Sequence, residues 1–515
     1  MKKRDHILAI DAGTQSLRAM VFDVEGMLIA RVQTPFEPPD APKQGWAEQS
    51  VASFWYALCL ACNELWQHPE VDRNRLAGMT VTSQRGSLIL LGKNGQPLRP
   101  AILWMDQRRA SSVPNIGPGW NLLFRTLGLR HTLHDLLTKA QSNWIRQHQP
   151  EIWAETWKVM LVSGYLNFML TGQPIDSLAS QVAYLPFDYK KQKWSGPRDW
   201  KWRALGIHPD QLTGIVPPGS SIGLVTGTAS QATGIPEGLP VVAAAADKAC
   251  EALGSGCLTP NLGHLSFGTA ATFNVTSPRY FETEPFIPPY PAGIPNHYSV
   301  EIQLFRGFWL VSWFLRQFGH VERQKALETG MAAETFLDEL LAITEPGCQG
   351  LLLHPSWAPG IKTPGPEARG AMIGFRACHG RAHMYRAIIE GLMYGLLAAQ
   401  ERVAKRGKLT IDRIRCSGGG SQSDRVMQIA ADVFGLPTER PHTFEASGLG
   451  AAIIASAGLG LHSGFEEAIE KMTKTGQTYH PNQTTHETYR QVYGKAFKPL
   501  YRKLKPIFAG LAGLV

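Results

Sequence analysis

The sequence predicts an α/β protein of two domains, and three observations carry that prediction. Its 515 residues, 44% of them hydrophobic, exceed what a single core usually organises. An apolar run, a Gly-Thr turn and a second apolar run stand at Ile7–Arg18, and the same unit returns about half a chain later at His264–Ala270. Such an echo is expected of a duplicated domain. Helical periodicity alternates with short apolar runs through the rest of the chain, the pattern of helices packed on sheets.

The opening segment reads as a meander. Ile7–Ile10, the Gly13-Thr14 turn, Leu17–Phe22, a turn at Asp23–Gly26 and Met27–Val32 predict three antiparallel strands. A proline-rich loop at Pro35–Pro42 gives way to helical spacing over Ser50–Trp66. Strands are expected at Met79–Thr82, Leu88–Leu91 and Ala101–Trp104, the last two joined as a hairpin through Asn94-Gly95. Leu122–Leu170 is mostly helical in period, and Ala179–Pro218 is irregular. Val241–Ala246 reads as a strand ending at Asp247, with a helix from near Ala249. The Gly-Thr unit then restarts, which places the junction near Gly254–Gly263 and divides the chain into residues 1–256 and 257–515. Proline-rich loops at Pro285–Pro295 and Pro355–Pro366 precede helices near Ala382–Arg402 and Val426–Phe434, which flank Gly418-Gly419-Gly420. In the closing stretch Tyr489–Phe508, basic and apolar residues alternate. Pro499 and Pro506 should break its amphipathic face, which favours a solvated helix over one lying on a membrane.

Composition narrows the function classes. The formal charge of +9 is spread along the chain without a run of five basic residues, which suits phosphorylated small molecules better than nucleic acid. Seven cysteines, odd in number and scattered, read as free thiols of a cytoplasmic protein. Cys59 and Cys62 form a C-x-x-C inside an apolar helical run with no second ligand pair, the pattern of packed core thiols. Met1-Lys2-Lys3-Arg4 resembles the start of an export signal, but the apolar run that follows is too short for one. The uncharged stretch Ala446–Phe465 is rich in Gly, Ala and Ser, and reads as a close-packed helix and loop rather than a membrane span.

Both Gly-Thr turns look like phosphate clips, because glycine lets backbone N–H groups face an anion and the adjacent hydroxyl adds a donor. Asp11, at the end of its strand, offers a carboxylate for Mg²⁺, with Arg18 returning positive charge; an Asp capping its own turn is the alternative. Asp247 is the candidate general base, since a buried strand would carry it to the mouth of a cleft; a helix cap is the alternative. Ser83-Gln84-Arg85-Gly86 and Trp104-Met105-Asp106-Gln107-Arg108 each follow a strand, and their amide, guanidinium, carboxylate and indole groups suit a polyhydroxy substrate. Pairing of Asp106 with Arg108 is the other reading. No Walker P-loop, H-E-x-x-H or G-x-S-x-G occurs.

Taken in order, the motifs resemble the FGGY family of carbohydrate kinases. They are Asp11-Ala12-Gly13-Thr14-Gln15-Ser16-Leu17-Arg18, Gly45-Trp46-Ala47-Glu48-Gln49, Ser83-Gln84-Arg85, Trp104-Met105-Asp106-Gln107-Arg108 and Leu170-Thr171-Gly172 with Asp176. Asp247, Ser266-Phe267-Gly268-Thr269, Gly418-Gly419-Gly420, Ala430-Ala431-Asp432 and Leu449-Gly450-Ala451-Ala452 follow. The resemblance implies two RNase-H-like domains of the actin-type ATPase class, with ATP and Mg²⁺ in the cleft between them and most of the sugar site in the first. It places Gly13, Thr14, Gln15 and Arg18 on the phosphates with Gly268 and Thr269 opposing them, and Gly419 and Ser423 near adenosine. It makes Asp247 the base and puts Gln84, Arg85, Trp104, Asp106 and Lys248 around a sugar or polyol of the pentulose or glycerol class. Family habit adds a homodimer. The sugar site departs from the family pattern. Glycerol kinases carry Asn-Gln-Arg-Glu, and xylulose kinases Gln-Met-His-Gly, where this chain has Ser83-Gln84-Arg85-Gly86. Lys248 stands where relatives have Gln or Asn, so it either recognises an anionic sugar or neutralises a nearby carboxylate. A non-catalytic nucleotide- and sugar-binding regulator on the same fold is the rival reading.

Overall fold

The N-terminal meander forms as β1 (His6–Ala12), β2 (Ser16–Asp23) and β3 (Leu28–Pro35), paired antiparallel with Asp11 opposite Arg18. These residues belong to a computed structural model that describes positions 4–512 apart from 286, 359, 361 and 362. Met1–Lys3 of the basic start, and Phe286, Pro359, Ile361 and Lys362 of the two later proline-rich loops, lie outside the described residues.

All seven residues of β1 are buried, which is why its run is apolar on both faces. On its far side lie the parallel strands Leu76–Ser83 and Pro240–Ala243, with Ser221–Leu224 antiparallel at the edge. Helix α1 (Val51–Leu65) buries Phe54, Leu58, Ala61 and Leu65 at its i, i+4, i+7, i+11 spacing. Cys62 is buried on the same face and Cys59 half-buried; burial pushes the Cys59 thiol up to about 11 and Cys62 higher still, so both are inert core thiols.

Contacts divide the described chain into two units. The first runs through Gly254 and also takes Tyr290–Tyr298 and Ser447–Met472; the second comprises Ser255–Pro289, Ser299–Ala446 and the chain from Thr473. The second unit repeats the sheet plan of the first. Leu262–Phe267 pairs antiparallel with Ala271–Ser277 on one side and parallel with Arg413–Ser417 on the other, followed by parallel Thr438–Pro441 and antiparallel Thr475–Tyr479. The chain is thus α/β with two RNase-H-like sheets, as the sequence predicts.

Four local readings are corrected. The strand expected over Val241–Ala246 spans Pro240–Ala243: its ladder with Leu76–Ser83 ends at the Ala243–Val81 pair, two residues before that neighbour does. Hydroxyls take over beyond that point: Ser177 Oγ donates to the Ala244 carbonyl (2.5 Å) and Thr82 Oγ1 to the Ala245 carbonyl (2.8 Å). The following helix starts at Asp247, not Ala249, since the Ala246 carbonyl already accepts from the Ala249 and Cys250 N–H groups. Around Asn94-Gly95 the two arms do bond at Leu88 and Ile102, but Ile89–Leu91 pairs with Lys158–Met160, and Ala101–Ile102 with Glu48–Gln49. Finally, the expected closing helix forms, but its prolines do not break its amphipathic face. Gln483–Val492, a π turn at Tyr493–Phe497 and Lys498–Ala512 run on continuously with Pro506 inside. The π turn brings Pro499 into the first turn of the next segment, where a missing N–H costs least, and burial of Tyr493, Phe497, Leu500 and Phe508 holds the inner face.

Ala446–Gly458 is a helix whose small residues allow close approach to the Asp247 helix: a Cβ on Gly450 would lie 1.8 Å from the Cys250 carbonyl oxygen. Gly450→Ala should therefore destabilise the protein by about 1–3 kcal/mol, the usual cost of overpacking. A urea midpoint unchanged from wild type would contradict this packing.

Candidate active site

Three adjacent parallel strands of the first unit deliver their C-terminal ends to one place, where ligands of open α/β sheets bind. β1 ends in Asp11 and the Gly13-Thr14 turn; Leu76–Ser83 runs into Gln84 and Arg85; Pro240–Ala243 leads through Ala244–Ala246 to Asp247. The register sets Asp11 beside Thr82, and the Gln84 N–H donates to the Ala12 carbonyl (2.9 Å).

Asp247 sits in the first turn of its helix, with its Oδ1 accepting from the Lys248 N–H (2.8 Å) and lying 3.7 Å from Arg85 Nε. Burial raises its pKa above the ordinary carboxylate value, and the Arg85 and Lys248 charges reverse only part of that. The Arg85 guanidinium also lies 5.3 Å from the centre of the Tyr290 ring, a cation–π distance. Lys248 extends its ammonium to Glu251 Oε2 (2.7 Å), on the next turn of the helix. Burial alone would push Lys248 toward neutrality, but the Glu251 and Asp247 carboxylates outweigh it and hold the ammonium charged. Of the two readings of Lys248, this contact is the one that neutralises a carboxylate.

Gln84 is buried, and its Oε1 accepts from Thr14 Oγ1 (3.4 Å) and Ser87 Oγ (3.3 Å). Its amide nitrogen has no hydrogen-bond partner among the described residues. Trp104 donates Nε1 to Thr14 Oγ1 (3.0 Å) while its ring stays 38% exposed, so an apolar face remains open beside these polar groups. The Gly13 N–H closes the β1–β2 turn onto the Ser16 carbonyl (3.0 Å) without a left-handed backbone; Gln15 is exposed at the tip. Arg18 Nη1 reaches 3.6 Å from Asp11 Oδ2, and Asp11 is 5% exposed.

Asp106 is arranged differently from its expected place around a sugar. Its side chain is 1% exposed, and its two oxygens accept from the Ala47 N–H (2.6 Å) and from the Arg108 N–H, Nε and Nη2 (2.7–2.9 Å). Arg108 continues to Glu48 Oε1 (2.7 Å), which Arg99 also contacts, and its guanidinium lies against Trp46 (3.9 Å) and Trp144 (4.6 Å). The pairing alternative is therefore the observed one, buried rather than on the surface, and it ties two sequence motifs into one knot. Asp176, another motif residue, is likewise internal: it accepts from Ser163, Asn167, Ser177 and Gln181, and burial raises its carboxyl to about 6.

In the second unit the Gly268-Thr269 turn is held by its carbonyls. The Gly268 oxygen accepts from the Phe308 N–H (3.0 Å) and the Thr269 oxygen from the Gly307 N–H (2.9 Å). Gly418, at φ 85°, rides on the same strand end: a Cβ there would be 2.9 Å from the Phe267 carbonyl carbon. A Cβ on Gly419 would meet nothing within 4 Å, so this backbone is open to a ligand. Ser423 caps the helix Asp424–Phe434, accepting from the Val426 N–H (3.1 Å) and donating to Asp338 Oδ1 (2.6 Å).

Sequence reasoning passed over Glu251 and Tyr290. The i, i+3 spacing from Lys248 could have found the first. Tyr290 arrives from a segment more than forty residues beyond Asp247, with no local signal. Among the described residues no three His, Cys, Asp or Glu cluster as a metal site, and no helix is long and apolar enough to cross a membrane.

Two RNase-H-like sheets, each with a Gly-Thr hairpin near its centre, give the actin- and hexokinase-like fold, which sugar kinases share with other proteins. The chain belongs to the FGGY family of carbohydrate kinases: the N-terminal domain of that family matches residues 6–254 and the C-terminal domain residues 263–459. It is 28% identical over 508 residues to the xylulose kinase of Lactococcus lactis, covering 98% of this chain and 97% of the relative. The xylulose kinase of Rhodospirillum rubrum superposes with a TM-score of 0.80 at 25% identity, over 98% of this chain and 100% of that one. The gluconate kinase of Lactobacillus acidophilus gives 0.80 at 22% identity over 99% of each, a likeness of fold.

Replacing Asp106 by Ala leaves Arg108 buried with half its pairing gone. This should cost about 3–5 kcal/mol, seen as a large fall in the denaturation midpoint; a loss under about 1 kcal/mol, the value of an exposed pair, would refute the buried network.

Proposed function

We propose that this carbohydrate kinase moves the γ-phosphoryl group of ATP onto a hydroxyl of an uncharged sugar or polyol of the pentulose or glycerol class, with Asp247 as general base. The observation that carries the reading is Asp247 itself, brought by a buried strand beside Arg85 and raised in pKa by burial. A raised carboxylate accepts the substrate hydroxyl proton more readily, while positioning and charge neutralisation supply most of the acceleration. Gln84, with an uncommitted amide nitrogen, would donate to a sugar oxygen, and Trp104 would cover its C–H face. Lys248 is satisfied by Glu251, which argues for an uncharged acceptor over an anionic one.

For the nucleotide, Gly13, Thr14, Gln15 and Arg18 of the first unit and Gly268, Thr269, Gly419 and Ser423 of the second are the proposed binding residues, the hydroxyl of Ser423 remaining a helix cap. Asp11 fits Mg²⁺, which takes one or two carboxylates and completes its shell with water and phosphate oxygens. Bound there, the ion would neutralise charge on the transferring phosphoryl group. Arg18 Nη1, 3.6 Å from Asp11 Oδ2, sets a positive charge beside that carboxylate. Cytoplasm, where ATP is supplied and the seven free cysteines stay reduced, is the proposed location.

The test is ADP release from MgATP across glycerol, tetritols, pentuloses, hexuloses and aldonates. An uncharged compound should stimulate turnover, and Asp247→Asn should lower kcat by about 10²–10⁴. The wild-type rate should fall as the pH drops through a value above about 3.9, the ordinary Asp pKa. Nucleotide binding with no stimulated turnover would favour the regulator, and stimulation by aldonates alone would overturn the uncharged acceptor.

A further inference from the structure

We propose that Tyr290 is a positioning residue for Arg85, its ring a flat platform that holds the guanidinium beside Asp247 at the sugar end of the site. The proposal rests on the reading of Asp247 as base with Arg85 facing the sugar. Arg85 Nε stands 3.7 Å from Asp247 Oδ1, beyond the length of a hydrogen bond, so this attraction sets a separation without fixing the plane of the guanidinium. A ring face restricts that plane. The Arg85 guanidinium lies 5.3 Å from the centre of the Tyr290 ring, and the Arg85 side chain is only 16% exposed, which strengthens a cation–π contact over its value in water.

A platform orients its neighbour only where it is itself held. The segment Tyr290–Tyr298 belongs to the first unit, although the chain enters the second at Ser255. It lies on the hairpin that pairs Phe187–Asp188 with Lys193–Trp194. The Tyr189 ring meets the Tyr290 ring edge-on (5.5 Å between centres, 68°) and its hydroxyl donates to the Gln181 carbonyl (3.1 Å). Phe187 backs Tyr189 at 5.1 Å. At the far end of the segment, Gln192 Nε2 donates to the His297 carbonyl (2.8 Å) and the Tyr298 hydroxyl to the Lys190 carbonyl (2.7 Å). Gln181 in turn donates to Asp176 Oδ2 (2.8 Å), so that buried motif carboxylate anchors the scaffold behind the platform. An arginine without such a face keeps its rotamer freedom, and each sugar molecule would have to order it again at a cost in affinity.

The experiment measures kcat and the KM values for MgATP and for the panel compound that stimulates ADP release most, in wild type, Tyr290→Phe, Tyr290→Leu, Arg85→Met and the Arg85→Met, Tyr290→Leu double variant. Tyr290→Leu should raise the sugar KM roughly 5–30-fold, the worth of one partly desolvated cation–π contact. Its KM for MgATP should stay within about twofold of wild type, the scatter expected of an independent site. Tyr290→Phe keeps the ring and should hold both KM values within about the same twofold; this arm stands even where Tyr290→Leu folds poorly. In the Arg85→Met background, Tyr290→Leu should add no more than about twofold to the sugar KM, since the group it positions is gone. An unmoved sugar KM in Tyr290→Leu, a Phe variant as impaired as the Leu variant, or an equal rise in both backgrounds would overturn the positioning role. Arg85→Met separates the two readings: wild-type kinetics in that variant remove Arg85 from the sugar and sink the underlying reading, whereas an impaired Arg85→Met beside an unmoved Tyr290→Leu sinks only this inference.

Discussion

The first unit is organised around a carboxyl group that gives up most of its contact with water, its side chain 27% exposed, without losing its charge. Asp247 stands past the end of a central strand, where burial opposes ionisation, and Arg85, the Lys248 N–H and the start of a helix favour it. None of these partners is local in sequence to all the others. They meet because three parallel strands in fixed register end together, and because Ser177 and Thr82 accommodate the three alanines that continue beyond the ladder. Loosening that register would move the carboxyl, its guanidinium partner and the Gly-Thr turn at once.

Each unit solves the same topological problem. A hairpin at the sheet centre, flanked by a parallel strand, puts a tight turn at the C-terminal edge of the sheet, and the following loop must then pass close to it. In the first unit that loop is Gln84-Arg85, bonded to Ala12; in the second it is Gly418-Gly419-Gly420, where the positive φ of Gly418 and the ring of Phe308 against Gly420 exclude side chains. One scaffold thus presents side chains in one copy and bare backbone in the other.

The elements legible in the sequence were those fixed by nearest neighbours. The meander, α1, the strand before each turn and the glycine triplet follow from alternation, helical spacing and backbone freedom, and they lie where those rules place them. Errors came from competition between tertiary partners. Val241–Ala246 has strand composition throughout, but its ladder stops at the Ala243–Val81 pair, and the hydroxyls of Ser177 and Thr82 take the Ala244 and Ala245 carbonyls instead. Pro506 is outweighed by an aromatic inner face. Asp106 and Arg108 carry the polar signature of a binding loop, yet Glu48, Arg99 and two tryptophans claim them for the interior, a choice no single segment reveals. The ionic state of Lys248 was legible only as two alternatives until Glu251 was seen beside it.

The central claim is that Asp247 meets the hydroxyl that is phosphorylated. A crystal structure with the stimulating sugar and a non-hydrolysable ATP analogue addresses it most directly. The account predicts one sugar hydroxyl within about 3 Å of an Asp247 carboxylate oxygen and facing the γ-phosphoryl group. A sugar whose hydroxyl nearest that group is held by another residue, with Asp247 out of hydrogen-bond reach and no water between, would contradict it.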